Sequence, residues 1–136
     1  MADIIVMKTS GKTAPKLDAG TPDPAKLIKG KYKTKTWNHF TGEDGRLYCG
    51  IWESTPGKVP IDYVEWEFCH FIEGKAILTN EKGKTWTLKK GDGFIIPAGF
   101  KGTWETVLET PLAWGVPTPT WPHCVVKRGQ MSDTTR

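Results

Sequence analysis

At 136 residues the chain is one ordinary domain, long enough to bury a core without disulfides or metal. Its net charge of +4 is unevenly spread: residues 1–36 hold eight lysines against Asp3, Asp18 and Asp23, net +5, and the remainder is net −1. The basic character therefore belongs to a lysine-rich leader. That argues against nucleic acid as a partner, since a recognition face would interleave arginines with aromatics. The apolar run Ile4–Met7 is too short for a signal-peptide core or a membrane span, so no membrane partner is expected. Cys49, Cys69 and Cys124 form no Cys-x-x-Cys pair and leave one cysteine unmatched, a usage that suits reduced thiols in a cytoplasmic protein.

Residues 1–33 mix Gly, Pro, Lys and Asp with little periodicity and read as an irregular arm lying over the domain. Within it Thr21-Pro-Asp-Pro24 signals a turn, and Asp23–Ile28 could support one helical turn. From Thr34 the pattern changes to short strands rich in Trp, Tyr, Ile, Val and Thr. They are predicted at Thr34–His39, Leu47–Glu53, Val64–Ile72, Lys75–Thr79, Thr85–Leu88, Phe94–Ile96 and Gly102–Leu108. The intervening Thr41–Gly45, Pro56-Gly57, Asn80–Gly83 and Lys90–Gly93 supply Gly or Asn where the backbone must turn. No segment sustains a helical period, and many short strands at this spacing predict a sandwich or barrel. After Thr110 the prolines thicken, leaving room for one last strand before extended coil. The division expected is an arm over 1–33, a barrel over 34–126 and a tail over 127–136.

Three segments carry a family resemblance: Gly50–Gly57, Glu67–Gly74 and Gly91–Glu105, in order and at consistent spacing. In them the chain resembles a cupin, and within cupins the group called cupin 3 or DUF861, from about Thr36 to Leu112. The resemblance implies an all-β, single-domain jelly-roll β-barrel, often paired as a homodimer. The general cupin pattern places two histidines shortly before the Glu67 position and a third at the position of Gly102. Here Pro60–Glu65 holds no histidine, and His39, His70 and His123 fall elsewhere, so of the four usual ligands Glu67 alone is present. One carboxylate does not make a transition-metal site. No metal and no cofactor are expected at the usual position; a rearranged set built on Glu67 and Cys69 is the alternative.

Trp104 lies two residues beyond Gly102 and shares its face of the strand. If Gly102 lines the barrel, an indole does too, in space that other cupins give to metal and water. On the strand around Glu67, Glu65, Glu67 and Cys69 alternate with Trp66, Phe68 and His70. An ordinary half-buried strand would turn the aromatics inward. The resemblance implies the reverse, with Glu67 inside and Trp66 and Phe68 covering the outside at a dimer interface. A buried carboxylate then needs a donor. Candidates are Arg46, Tyr48, Trp52, Tyr63 and the Trp104 indole. Cys69 reads as a small buried residue rather than a nucleophile, because His70 points to the other face.

The expected function is binding of a small polar metabolite in the barrel. Tyr48, Trp52, Glu65, Cys69 and Trp104 are the candidate ligand contacts, and Glu67 is the candidate acid or base of a metal-independent hydrolase or isomerase. The resemblance points toward ureidoglycine aminohydrolase, although that enzyme resembles a two-cupin, metal-dependent protein. Two alternatives stand beside it: a non-catalytic metabolite-sensing or accessory module, and a metal-dependent aminohydrolase with rearranged ligands.

Overall fold

The computed structural model describes residues 2–42, 47–107 and 123–129. Its strands in chain order are β1 (Asp18–Gly20), β2 (Lys29–Gly30), β3 (Thr34–Thr41), β4 (Leu47–Ser54), β5 (Gly57–Asp62), β6 (Trp66–Glu73), β7 (Lys75–Asn80), β8 (Thr85–Lys89), β9 (Gly93–Ile96), β10 (Lys101–Val107) and β11 (His123–Gly129). They form two sheets, ordered β1-β3-β4-β11-β6-β9 and β2-β5-β10-β7-β8, with every pairing antiparallel. This is an all-β cupin jelly roll, with β11 inserted between β4 and β6. No helix among the described residues is long and apolar enough to cross a membrane.

The seven strands predicted between Thr34 and Leu108 are present with ends shifted by at most two residues; Leu108 itself lies outside the described residues. Three further strands were not anticipated. Pro60 obscures β5 in the sequence, because proline lacks the N–H that a ladder uses. It is tolerated because β2 pairs with β5 only at Lys58 and Gly57, so at Pro60 the strand is a sheet edge. β1 and β2 arise from the arm, one joining each sheet. Between them Asp23 makes a turn rather than a helix. Its carbonyl accepts from the Lys26 N–H at 2.8 Å and its Oδ1 from the Ala25 N–H at 3.0 Å.

Alternation on the strands drives the core into the space between the sheets. Cys69 and Phe71 of β6, Ala76 and Leu78 of β7, Ile96 of β9 and Trp104 of β10 form one buried cluster. Phe71 is fully buried and meets Phe94 edge-on, with ring centroids 5.5 Å apart. Truncating such a ring to alanine costs about 3–5 kcal/mol. The arm belongs to this core, since Tyr32 is a buried member of the cluster and Leu27 packs against it.

Candidate functional site

On β6 the inward face is Glu67, Cys69 and Phe71, while Trp66 and Phe68 are half-buried and His70 and Ile72 are exposed on the other. Glu67 is therefore a carboxylate taken almost wholly out of water, at 4% exposure. Such a group must be hydrogen-bonded. The Tyr63 hydroxyl donates to its Oε1 at 3.2 Å, and the Cys69 thiol donates to the same oxygen at 3.3 Å.

Tyr63 is held in position by the second glycine-rich segment. The Gly99 N–H donates to the Tyr63 carbonyl at 2.6 Å, and the Tyr63 N–H donates to the Phe100 carbonyl at 2.8 Å. Gly99 has φ of 92°, a conformation that side-chain-bearing residues rarely adopt. The turn at Pro97–Phe100 thus aims the phenol that meets Glu67.

Trp104 separates the packed core from open space. Its ring lies 6.0 Å from Phe71 on one side and 5.3 Å from Trp52, edge-to-face, on the other. Its indole N–H, a candidate donor to Glu67, instead donates to Thr106 Oγ1 at 2.9 Å. Thr106 and Ser54 share a buried hydroxyl pair at 2.6 Å, and Ser54 also bonds the Tyr32 hydroxyl. Burial pushes the Tyr32 phenol well above the ordinary tyrosine value; the Ser54 hydrogen bond pulls it back, and the Glu67 carboxylate raises it further.

Above Trp104 and Glu67 lies a cavity of about 640 Å³. All six residues singled out from the sequence, Tyr48, Trp52, Glu65, Glu67, Cys69 and Trp104, line it. Arg46, the remaining donor candidate with a cationic group, lies outside the described residues. Among the lining residues that sequence reasoning missed are Asp18, Tyr32 and Asn38. Asp18 and Tyr32 were set aside with the arm. The one available signal was a lone tyrosine in an otherwise polar segment. Tyr32 adopts a φ of 24°, uncommon for a residue with a side chain. Its N–H bonds the Pro56 carbonyl at 3.3 Å, and its Cβ rests where Gly57 leaves room; a Cβ built at Gly57 would fall 2.7 Å away.

Residues 41–110, just over half of the chain, match the EutQ-like cupin domain, cupin 3. The chain belongs to this family. Among solved structures, this EutQ-like cupin domain is similar to a DUF861-family protein of unknown function from Pseudomonas syringae pv. tomato. The TM-score is 0.67 and the identity 23%, over 83% of this chain and 44% of that one, so the domain spans less than half of that protein. It is also similar to EutQ of Clostridium difficile (TM-score 0.57, 18% identity, 82% of this chain and 80% of that one). A third is the polyketide cyclase RemF of Streptomyces resistomycificus (TM-score 0.52, 20% identity, 90% and 80%). At these identities the likeness carries the fold. No curated protein matches the sequence.

The transition metal that cupins commonly hold does not fit the residues of this EutQ-like domain. At Gly102, the position of the third histidine in the general cupin pattern, a Cβ would lie 1.8 Å from the Thr79 carbonyl oxygen of β7. No larger residue enters there without parting β10 from β7. Among the described residues, no three His, Cys, Asp or Glu side chains group so as to hold a metal ion. What the site offers is a buried carboxylate bonded by a phenol and by a thiol beside an aromatic wall.

Proposed function

We propose that this cupin domain binds a small organic molecule in the cavity, with Glu67 as the polar anchor and Trp52 and Trp104 as apolar contacts. One observation carries the reading. A cavity of about 640 Å³, within the usual range for ligand sites, exposes a carboxylate that the rest of the fold buries and orients. The test is native mass spectrometry of the purified protein followed by denaturing release. A small molecule recovered from the wild type and depleted in Glu67→Gln supports it. An empty protein whose melting temperature no metabolite library raises refutes it.

A second reading adds chemistry. The Tyr63 hydroxyl donates to Glu67 Oε1 and fixes the carboxylate at the cavity, which favours a metal-independent hydrolase or isomerase with Glu67 as acid or base. Against it stands the sensing or accessory module, in which the same residues bind without turnover. Two companion readings come from the surface and the thiols. Phe68 lies opposite Ile95 on the outer face of β6 and β9, and Ile95 is 65% exposed, which favours burial of this face in a homodimer. Neither Cys49 nor Cys69 is in a disulfide, in keeping with the cytoplasm.

A further inference from the structure

The N-terminal arm forms one side of the cavity, yet it buries a single residue in the barrel. We propose that this arm is a hinged wall that opens and closes the cavity, with Tyr32 as its latch. The proposal deepens the small-molecule reading above by supplying the way in, and rests on it for its purpose.

The first observation is where the arm lies. Strand β1 sits at the edge of the six-stranded sheet beside β3, and β2 at the edge of the five-stranded sheet beside β5. Residues 21–28 run between them, so the arm reaches from one sheet to the other. Asp18 of β1 and Tyr32 line the cavity together with Thr34, Thr36 and Asn38 of β3. Lifting the arm takes away that side of the cavity and leaves the pairings among β3 to β11 intact.

The second observation is how lightly the arm is attached. β1 has three residues and β2 has two, lengths that contribute little stability of their own. The Lys29–Glu105 ion pair at 3.1 Å keeps its ammonium largely in water and adds little. Of residues 2–33, Tyr32 alone is buried. A segment with exposed backbone and few buried contacts opens at a lower free energy than the core it covers.

The third observation is the latch itself. The Tyr32 ring lies 6.5 Å from that of Trp52, and its hydroxyl joins the buried chain through Ser54 and Thr106 to the Trp104 indole. The arm's anchor is thus tied to the aromatic wall of the cavity. Its backbone sits at φ of 24° to reach that seat, a strained conformation of the kind found in clamps and switches. The seat is shaped by glycine on both sides, since Gly30 pairs with Gly57 across β2 and β5. A Cβ at Gly57 would fall 2.7 Å from Tyr32 Cβ, 2.8 Å from Tyr32 N and 3.0 Å from the Lys29 carbonyl oxygen, all atoms of the arm. Burial of the phenol holds the arm down while its strained backbone favours release. Two opposed tendencies in one residue suit a gate.

The experiment uses the full chain without ligand. Amide hydrogen exchange is followed by NMR at Ile28, Tyr32 and Lys33, whose N–H groups bond the barrel at the Lys58 carbonyl, the Pro56 carbonyl and Thr55 Oγ1. In parallel, iodoacetamide alkylation of Cys69, which lines the cavity at 1% exposure, is read by peptide mass spectrometry. Cys49, half-buried on β4 and outside the described lining, is the reference thiol. In the wild type the three arm amides should be at least tenfold less protected than those of β6 and β7. Tyr32→Ala, and Gly57→Ala, which crowds the seat and keeps the latch residue, should each lower arm protection at least tenfold further and leave β6 and β7 unchanged. Both should speed alkylation of Cys69 several-fold relative to Cys49. Arm amides as protected as β6 and β7 in the wild type mean that the arm opens only with the whole domain, which overturns the inference whatever the variants do. It is equally overturned if both variants loosen β6 and β7 as much as the arm, or if the arm opens and Cys69 reacts no faster. The small-molecule reading survives each of these results, because no ligand enters the measurement; it falls only on the empty native mass spectrum and unresponsive melting temperature described above.

Discussion

The Tyr63 hydroxyl and the Glu67 carboxylate stand 3.2 Å apart, four residues from each other in sequence, joined across the bend that leads into β6. This contact makes the role of Glu67 separable from its contribution to the fold. A glutamine at 67 keeps the shape and an acceptor oxygen for Tyr63, and removes the charge.

Glu67→Gln is therefore expected to cost no more than about 1–2 kcal/mol of stability, the scale of altered hydrogen bonds, while ligand binding or turnover falls by an order of magnitude or more. Urea denaturation beside ligand titration checks it. A large loss of stability with ligand affinity unchanged would make Glu67 a structural acceptor.

Tyr32 gives a pH prediction. Its phenol has a folded-state pKa raised above the unfolded value near 10.0, so the neutral form is the one the fold favours. That stability is fully present below pH 10 and is lost as pH rises past the ordinary tyrosine range. Absorbance at 295 nm should titrate identically in wild type and Tyr32→Phe through pH 10, with the wild-type excess emerging only at higher pH. A difference in amplitude already at pH 9–10 would contradict the buried placement.

Thr106→Val should destabilise the domain by about 1–3 kcal/mol although valine nearly matches the shape of threonine. The change strips the acceptor from the Trp104 indole N–H at 2.9 Å and the partner from Ser54 at 2.6 Å. Chemical denaturation monitored by tryptophan fluorescence reads both the stability and the altered environment of Trp104. Val107→Thr, on the neighbouring position of the same strand, serves as the comparison.

Restoring a histidine at 102 should fail to create a metal centre. The Thr79 carbonyl oxygen occupies the place of its Cβ, and even Gly102→Ala is expected to cost about 1–3 kcal/mol through strand displacement. The midpoint of thermal unfolding should drop for both variants. Elemental analysis of Gly102→His after exposure to zinc should find no stoichiometric metal.

Much of this domain is legible locally. Alternation over Trp66–Glu73 separates one face from the other. The family resemblance then selects which face turns inward, with Glu67 inside, where an ordinary half-buried strand would have turned the aromatics there. Trp104 follows from its two-residue offset from Gly102. These are short-range relations, and strand periodicity carries them. Long-range pairing decided the rest. Pro60 hides β5, whose strand identity depends on an edge position that β2 leaves open. Tyr32 and Asp18 enter the cavity because the arm adds a strand to each sheet, and nothing in its composition announces that register. Which donor meets Glu67 was likewise settled by tertiary contacts: Trp104 is drawn to Thr106, and the Gly99 turn delivers Tyr63. The sequence by itself determined the fold and the carboxylate at its centre. Tertiary structure decided the company that carboxylate keeps, since hydrogen bonds between distant strands answer to position in space and not to separation along the chain.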